Sequence, residues 1–254
     1  TPVGTGSISI TKNVASGSTA EEFTLILNES QGKLNGTYTM TGGNQNEVTF
    51  VNGVSTSTVT IKNGQTLTIQ GLPLGAGINV AEAVNAGWTP SYNVGTEVVT
   101  AAFVTVSSNT PVVTVTNNYY AQPAHFQLKG TKNFVGSGFP AGNFTFEAVE
   151  VILNSTTGQY EAKSGATPMT ATVIKGEDNA SLDIVFGDVT IIQPFDERYF
   201  KITEKVLDSQ KIPGVVYDDT EYIVKLSVTD NSEGQLEASA VLKSGNQWVP
   251  FEQN

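Results

Sequence analysis

A carboxylate on the apolar face of a predicted strand is the sequence feature that most constrains this fold. Residues 199–204 alternate apolar or β-branched side chains with polar ones, which is the pattern of a β-strand. Successive side chains on a strand point to opposite faces, so Phe200 and Ile202 face the core and Glu204 faces it with them. A lone buried carboxylate is unfavourable unless it is paired or protonated. The fold must therefore supply a partner for Glu204 inside the core.

Lys132 is the predicted partner of Glu204, and the first half of the chain repeats this pair. Alternation places Lys132 on the apolar face of one strand, and it places Lys12 and Glu82 on the apolar faces of two others. The spacing from Lys12 to Glu82 is 82 − 12 = 70 residues, and that from Lys132 to Glu204 is 204 − 132 = 72 residues. The two halves have diverged in sequence, yet both keep an inward lysine and an inward glutamate at nearly the same spacing. This indicates that the fold or its function requires those residues.

The remaining chain predicts an all-β protein of two tandem β-sandwich domains, residues 1–120 and 121–254. Its 254 residues suffice for two domains. The sequence predicts many short strands separated by glycine-rich turns, and no long helix. Pro123 interrupts the pattern in the predicted linker, residues 120–124. Residues 71–75 (GLPLG) are predicted as a turn. The predicted strands are 7–14, 22–27, 37–40, 48–51, 57–61, 66–70, 78–82, 113–119, 125–132, 143–151, 169–174, 181–192, 200–204, 221–229, 235–242 and 248–254.

Charge and composition exclude several classes of function. Thirteen Lys and Arg against 24 Asp and Glu give a net charge of −11, which argues against nucleic acid and anionic membranes as partners. No apolar run approaches the ~18 residues that span a bilayer. The chain has no cysteine, two methionines and one histidine, which limits metal and redox chemistry. We identify no signal peptide or sorting tail, so we expect a cytosolic protein or the mature part of an exported one.

A buried amine, carboxyl and amide together predict a crosslink that the protein makes within itself. A neutral lysine amine can attack an asparagine side-chain amide and release ammonia, because burial lowers the pKa of a lysine and raises that of a carboxylic acid. The protonated acid then assists as a proton shuttle. Folding supplies the proximity, so the reaction needs one turnover, no cofactor and no metal. We therefore do not expect an enzyme that acts on external substrates.

The amide is well defined in the first half and ambiguous in the second. Alternation over residues 113–119 puts Asn117 on the inward face, so Lys12, Glu82 and Asn117 form the first predicted trio. In the last predicted strand, residues 248–254, alternation puts Gln253 inward. A bulge at the proline of this strand would bring Asn254 inward instead. We favour Asn254, with Gln253 as the alternative acceptor.

Other interpretations of the same residues remain open at this point. The simplest alternative is a buried Lys–Glu ion pair beside an amide, with no covalent bond, although such pairs seldom stabilise more than an apolar replacement does. The second functional hypothesis is an adhesin module that binds a host protein or glycan through its loops. An enzyme with an external substrate and an uncrosslinked structural domain are the remaining alternatives.

Several motifs resemble the cell-surface pilin and adhesin domains of Gram-positive bacteria. The first half is similar to B-type Cna-like domains in its ITKN, GLPLG, INVAE and VTVTNNY segments. The second half resembles the streptococcal pilin isopeptide-linkage domain in GTKNF, NFTFEAVE, YFKITE, IPGVVYDDTEY and PFEQN. Family members end their last strand in phenylalanine, one residue and asparagine. This chain has one residue more between Phe251 and Asn254.

The resemblance implies two immunoglobulin-like sandwiches, each closed by a Lys–Asn isopeptide bond that a core acid assists. Matched motif by motif, the first bond falls on Lys12 and Asn117, assisted by Glu82. The second falls on Lys132, assisted by Glu204, and the extra residue leaves its acceptor open between Asn254, which we favour, and Gln253. The resemblance also implies a structural subunit or stalk of a pilus or adhesin, outside the cell and attached to the cell wall. Its implied partners are neighbouring pilin subunits, joined by sortase-type assembly, with a host surface ligand as an open alternative and no membrane insertion.

Overall fold

The chain folds into β-strands that group into two compact units, residues 1–120 and 121–254. A computed structural model describes residues 4–176 and 180–251. Within these ranges the helical structure is one short 3-10 helix, Asp208–Gln210, and no helix there is long and apolar enough to cross a membrane. The predicted all-β class is confirmed.

Unit 1 is a sandwich in which strands of two sheet halves face each other across an apolar core. Its strands are β1 Thr5–Val14, β2 Glu22–Glu29, β3 Gly36–Thr41, β4 Glu47–Val51, β5 Val54–Ser55, β6 Val59–Lys62, β7 Thr66–Pro73, β8 Gly77–Glu82, β9 Trp88–Val94, β10 Glu97–Val99, β11 Ala102–Thr105 and β12 Val112–Tyr119. One half has the order β10-β9-β12-β1-β7, and the other has β4-β5-β2-β8-β11. Strand β3 joins them, because its beginning pairs with β4 and its end with β7.

Alternation predicted the core of unit 1 but missed part of its edge. Strands β9 to β11 were not predicted, since Pro90 and the glycines at 87 and 95 interrupt the pattern between residues 88 and 105. The predicted turn at residues 71–75 is wrong in its first half. Strand β7 continues to Pro73, where it pairs with Thr5 of β1, and Leu72 is fully buried. Burial of that leucine outweighs the turn preference of the flanking glycine and proline.

Unit 2 has a large sheet and a two-stranded sheet that enclose a second core. Its strands are β13 Ala124–Asn133, β14 Gly142–Leu153, β15 Tyr160–Ala162, β16 Met169–Lys175, β17 Ser181–Ile191, β18 Phe195–Lys205, β19 Tyr222–Asp230, β20 Leu236–Ser244 and β21 Gln247–Pro250. The large sheet has the order β15-β14-β18-β19-β20-β21, with β16 also paired to β14, and the small sheet pairs β13 with β17. This arrangement places the Lys132 strand and the Glu204 strand in different sheets.

A buried carboxylate holds one turn of unit 1 in place. Glu29, 8% exposed at the end of β2, accepts hydrogen bonds from the backbone N–H groups of Gln31 at 3.0 Å, Lys33 at 2.7 Å and Leu34 at 3.2 Å. Burial alone would raise the pKa of this carboxyl, but the three donors and the nearby Lys33 charge outweigh it, so the pKa is lowered.

Replacing Glu29 should destabilise the protein at neutral pH and matter less in acid. Glu29→Ala removes the acceptor of three backbone N–H groups, of which that of Leu34 is buried, so we expect a loss of about 2 kcal/mol in the free energy of unfolding at pH 7. As the pH falls below the ordinary value of 4.5, the unfolded chain takes up the proton first, so the Glu29 contribution disappears as the pH passes the lowered pKa. Urea unfolding of Glu29→Ala and parent at pH 7 and in acid measures this. Glu47→Ala, which removes an exposed acid of the same unit, is the control. Equal midpoints of Glu29→Ala and parent at pH 7 would contradict the prediction.

Candidate isopeptide sites

Parallel pairing of the first and last strands of unit 1 brings Lys12 and Asn117 together. Strands β1 and β12 are hydrogen-bonded neighbours, with Lys12 opposite Val115 and Val14 opposite Asn117. The two side chains are therefore offset by two residues on adjacent strands and lie on the same face of the sheet. Both residues are fully buried.

Glu82 approaches this pair from the opposite half of the sandwich. It ends strand β8, which pairs with β2 rather than with β1 or β12. The Lys12 amine donates a hydrogen bond to Glu82 Oε2 at 2.7 Å and another to Asn117 Oδ1, while Asn117 Nδ2 donates to Glu82 Oε1. The side chain of Glu82 is 1% exposed. The three predicted residues thus form a closed, dry hydrogen-bonded ring.

Apolar surroundings favour the neutral form of the Lys12 amine. The Phe23 ring centroid lies 4.0 Å from Lys12 Nζ, and the Trp88 ring packs edge-on against Phe23 at 5.0 Å. Burial lowers the pKa of Lys12 below its ordinary value, although the hydrogen bond and the charge of Glu82 oppose the shift. A neutral lysine amine is a nucleophile, and it lies here against the side-chain amide that it would attack.

Tyr92 is a part of this site that the sequence reading missed. Its hydroxyl accepts a hydrogen bond from the backbone N–H of Glu82 at 2.9 Å and fixes the end of β8. Burial raises the pKa of the Tyr92 phenol, so the group stays neutral in this role. Tyr92 lies on β9, a strand that alternation did not predict, so no sequence pattern pointed to it.

Unit 2 brings together Lys132 and Glu204. The Lys132 amine, on β13, lies 2.9 Å from Glu204 Oε2, on β18, and the two side chains are 12% and 2% exposed. Glu204 Oε1 is buried and has no hydrogen-bond partner among the described residues. The corresponding oxygen of Glu82 in unit 1 accepts a hydrogen bond from the Asn117 amide. The carboxylate of unit 2 is therefore paired on one oxygen.

Both predicted amide acceptors of unit 2, Asn254 and Gln253, lie outside the described residues. Strand β21 pairs with β20 without a register shift as far as Pro250, so no bulge occurs between Gln247 and Pro250. The next residue, Phe251, packs its ring against Phe126 with centroids 6.1 Å apart.

A cleft of about 680 Å³ opens beside the Lys132–Glu204 pair. Its lining includes Lys132 and Glu204 at one side and Pro250 and Phe251 at another. Strand β13 pairs with β17 along one edge, and no strand in the described part of the chain pairs with its other edge. In unit 1 the corresponding edge of the lysine strand is occupied by the asparagine strand β12.

Comparison with known proteins links both units to described families. Residues 6–119 match the family described as "Domain of unknown function (DUF7601)", and residues 128–253 match the "Spy0128-like isopeptide containing domain". A pilin of Streptococcus pyogenes serotype M1 is 31% identical over 102 residues, which cover 38% of this chain and 29% of that pilin. The chain therefore aligns with less than a third of that relative.

Solved structures of low similarity include other surface proteins. The pilus-presented adhesin Spy0125 (Cpa) is 23% identical, with a TM-score of 0.37 over 45% of this chain and 26% of the adhesin. The full-length major pilin SpaD from Corynebacterium diphtheriae is 12% identical, with a TM-score of 0.27 over 93% of this chain and 72% of SpaD. These TM-scores are too low to support a functional inference. The family match is the stronger link: residues 128–253 match the Spy0128-like isopeptide containing domains, and the chain resembles the pilins of Gram-positive bacteria.

Proposed function

We propose that this chain is a structural segment of a Gram-positive surface pilus in which each sandwich closes itself with an isopeptide bond. The observation that carries the proposal is the buried ring of Lys12, Glu82 and Asn117, in which the amine, acid and amide are mutually hydrogen-bonded. A buried ion pair alone does not require the amide to face both charges. An amide transfer requires that arrangement.

The proposed reaction in unit 1 balances without a cofactor. Proton transfer from the Lys12 ammonium to Glu82 gives a neutral amine, the form of Lys12 that burial favours, and leaves the proton on Glu82. The amine nitrogen attacks Asn117 Cγ, while Glu82 lies against the amide nitrogen, Asn117 Nδ2. Glu82 then carries a proton from the attacking nitrogen to Asn117 Nδ2. The Cγ–Nδ2 bond breaks, ammonia leaves, and a Lys–Asn amide remains.

For unit 2 we propose the same chemistry between Lys132 and an amide that follows Phe251. The buried Glu204 Oε1 supports this proposal, since its unit 1 counterpart accepts a hydrogen bond from the reacting amide. Asn254 is the favoured acceptor. Gln253 remains the alternative, because strict alternation in the sequence puts it on the same face as Phe251.

We also propose a cellular role, which concerns the whole protein and not only the part that aligns with its relatives. We infer an extracellular location, in a pilus attached to the cell wall, with neighbouring pilin subunits joined by sortase-type assembly. The similarity to a streptococcal pilin supports this role, and the self-directed, single-turnover chemistry is that of a structural protein rather than of an enzyme.

Intact mass tests the proposed bonds directly. The parent chain should weigh less than its sequence by two ammonia molecules, and Asn117→Ala or Glu82→Ala should weigh less by one. Asn118→Ala, a change at the neighbouring position, is the matched control and should still lose two. Peptide mapping then identifies Asn254 or Gln253 as the partner of Lys132. A parent of full theoretical mass would reject the proposed function and leave buried ion pairs.

A further inference from the structure

A loop of unit 2 donates a second hydrogen bond to the Glu204 carboxylate, in addition to the one from Lys132. The backbone N–H of Asp218 donates a hydrogen bond to Glu204 Oε2 at 3.1 Å. The same oxygen accepts the Lys132 amine at 2.9 Å. Two donors therefore occupy Oε2, while Oε1 has no partner among the described residues.

The Asp218 side chain fixes the loop that supplies this N–H group. Its Oδ1 accepts the backbone N–H of Thr220 at 2.9 Å, and its Oδ2 accepts the Tyr222 hydroxyl at 3.0 Å. Tyr222 begins β19 and pairs with Ile202, two residues before Glu204 on β18. The carboxylate of Asp218 thus ties its own backbone N–H to β19, which pairs with the strand that carries Glu204.

Unit 1 orients its acid differently. The Asn117 amide contacts Glu82 Oε1, and Tyr92 holds the backbone N–H of Glu82 rather than its carboxylate. In unit 2 the proposed amide follows Phe251, and the reaction requires that Glu204 face this amide when it arrives. A backbone donor from a tied loop can do this, because its position does not depend on the incoming strand.

We propose that Asp218 is a positioning residue for isopeptide formation in unit 2: it locks the loop so that its backbone N–H holds Glu204 Oε2 and leaves Oε1 facing the incoming amide. This inference rests on the proposed function of unit 2. Asp218 touches none of the reacting atoms and acts through Glu204. The expected effect is on the rate of bond formation, since misorientation of a catalytic group slows a reaction whose advantage is proximity.

Conservative substitution separates this role from a purely electrostatic one. Asn at position 218 keeps an oxygen that can accept the Thr220 N–H and is well suited to such turns, but it removes the charge near Lys132. Ala removes both the acceptor and the charge. A positioning role therefore predicts that Asp218→Asn reacts like the parent and Asp218→Ala does not, whereas a charge effect on Lys132 predicts that both variants behave alike.

The test follows both bonds in the same full-length molecules after cell-free synthesis. Samples are quenched at intervals and digested, and the crosslinked peptide of each unit is quantified by mass spectrometry. The rate at which the Lys12–Asn117 peptide appears serves as the internal reference. Asp218→Ala should slow the second bond roughly five- to tenfold relative to the first, the change expected for losing one orienting hydrogen bond. Asp218→Asn and the neighbouring control Asp219→Ala should stay within about twofold of the parent.

Each outcome bears on the proposal. A rate for Asp218→Ala within twofold of the parent would overturn it, and so would equal slowing of Asp218→Asn and Asp218→Ala. If Asp218→Ala fails to fold, the test uses Tyr222→Phe, which removes one hydrogen bond to the Asp218 carboxylate. This variant should slow formation of the second bond roughly two- to threefold. An unchanged rate would overturn the proposal. If the parent forms the first bond but not the second, the proposed chemistry of unit 2 itself is refuted. If the parent forms both bonds, the rates of the Asp218 variants test the positioning role alone.

Discussion

A single molecule stretched between its two ends should show no extension from the 105-residue segment that separates Lys12 from Asn117. The proposed bond joins the first and last strands of unit 1, so tension passes from β1 to β12 through the crosslink and bypasses the strands between them. Asn117→Ala removes the bond and leaves only hydrogen bonds and packing to resist the force. That variant should therefore unfold unit 1 in a step that the parent lacks.

The length of the missing step can be calculated. A segment of 105 residues spans roughly 350–380 Å when extended at about 3.3–3.6 Å per residue, less the short distance between its ends in the folded state. Force spectroscopy of the full chain measures this gain directly. Asn118→Ala keeps the proposed bond and should extend like the parent. An unfolding step of this length in the parent would show that force is not carried by a covalent link between Lys12 and Asn117.

Thermal unfolding should show the second large effect of the same bond. A crosslink that closes a loop of about 100 residues stabilises by about 4.7 kcal/mol in the chain-entropy description of disulfides, and an isopeptide bond restricts the unfolded chain in the same way. For a unit of this size, that loss lowers the Tm by on the order of 20 °C. Asn117→Ala should therefore unfold far below the parent when unit 1 is followed by calorimetry.

Two controls separate the covalent contribution from local packing. Asn118→Ala should keep a Tm close to that of the parent, since its side chain makes one weak hydrogen bond, with Ser16 at 3.3 Å. Reducing agent should leave the parent unchanged, because the chain contains no cysteine. If Asn117→Ala lost about 2 kcal/mol or less, local packing would suffice to explain the loss and the crosslink would not be needed.

Local alternation was enough to place the candidate side chains inside. Lys12, Glu82 and Asn117 each follow apolar residues at two-residue spacing, and strand geometry fixes the face of a side chain from its neighbours alone. The same rule placed Lys132 and Glu204 toward one core. The sequence therefore predicted the all-β class and five of the six candidate residues as inward groups before any contact between strands was known. Asn254, the sixth, was favoured against strict alternation and lies outside the described residues.

The tertiary structure decided which of these inward groups meet. Parallel pairing of β1 with β12 sets Lys12 beside Asn117 across 105 residues, and the opposing half of the sandwich supplies Glu82. Alternation carries no information about strand order or register, because these depend on long-range packing. For the same reason it missed Tyr92, and it could not foresee that the backbone N–H of Asp218 would reach Glu204, since every residue except proline has that group and only the path of the chain determines where it points.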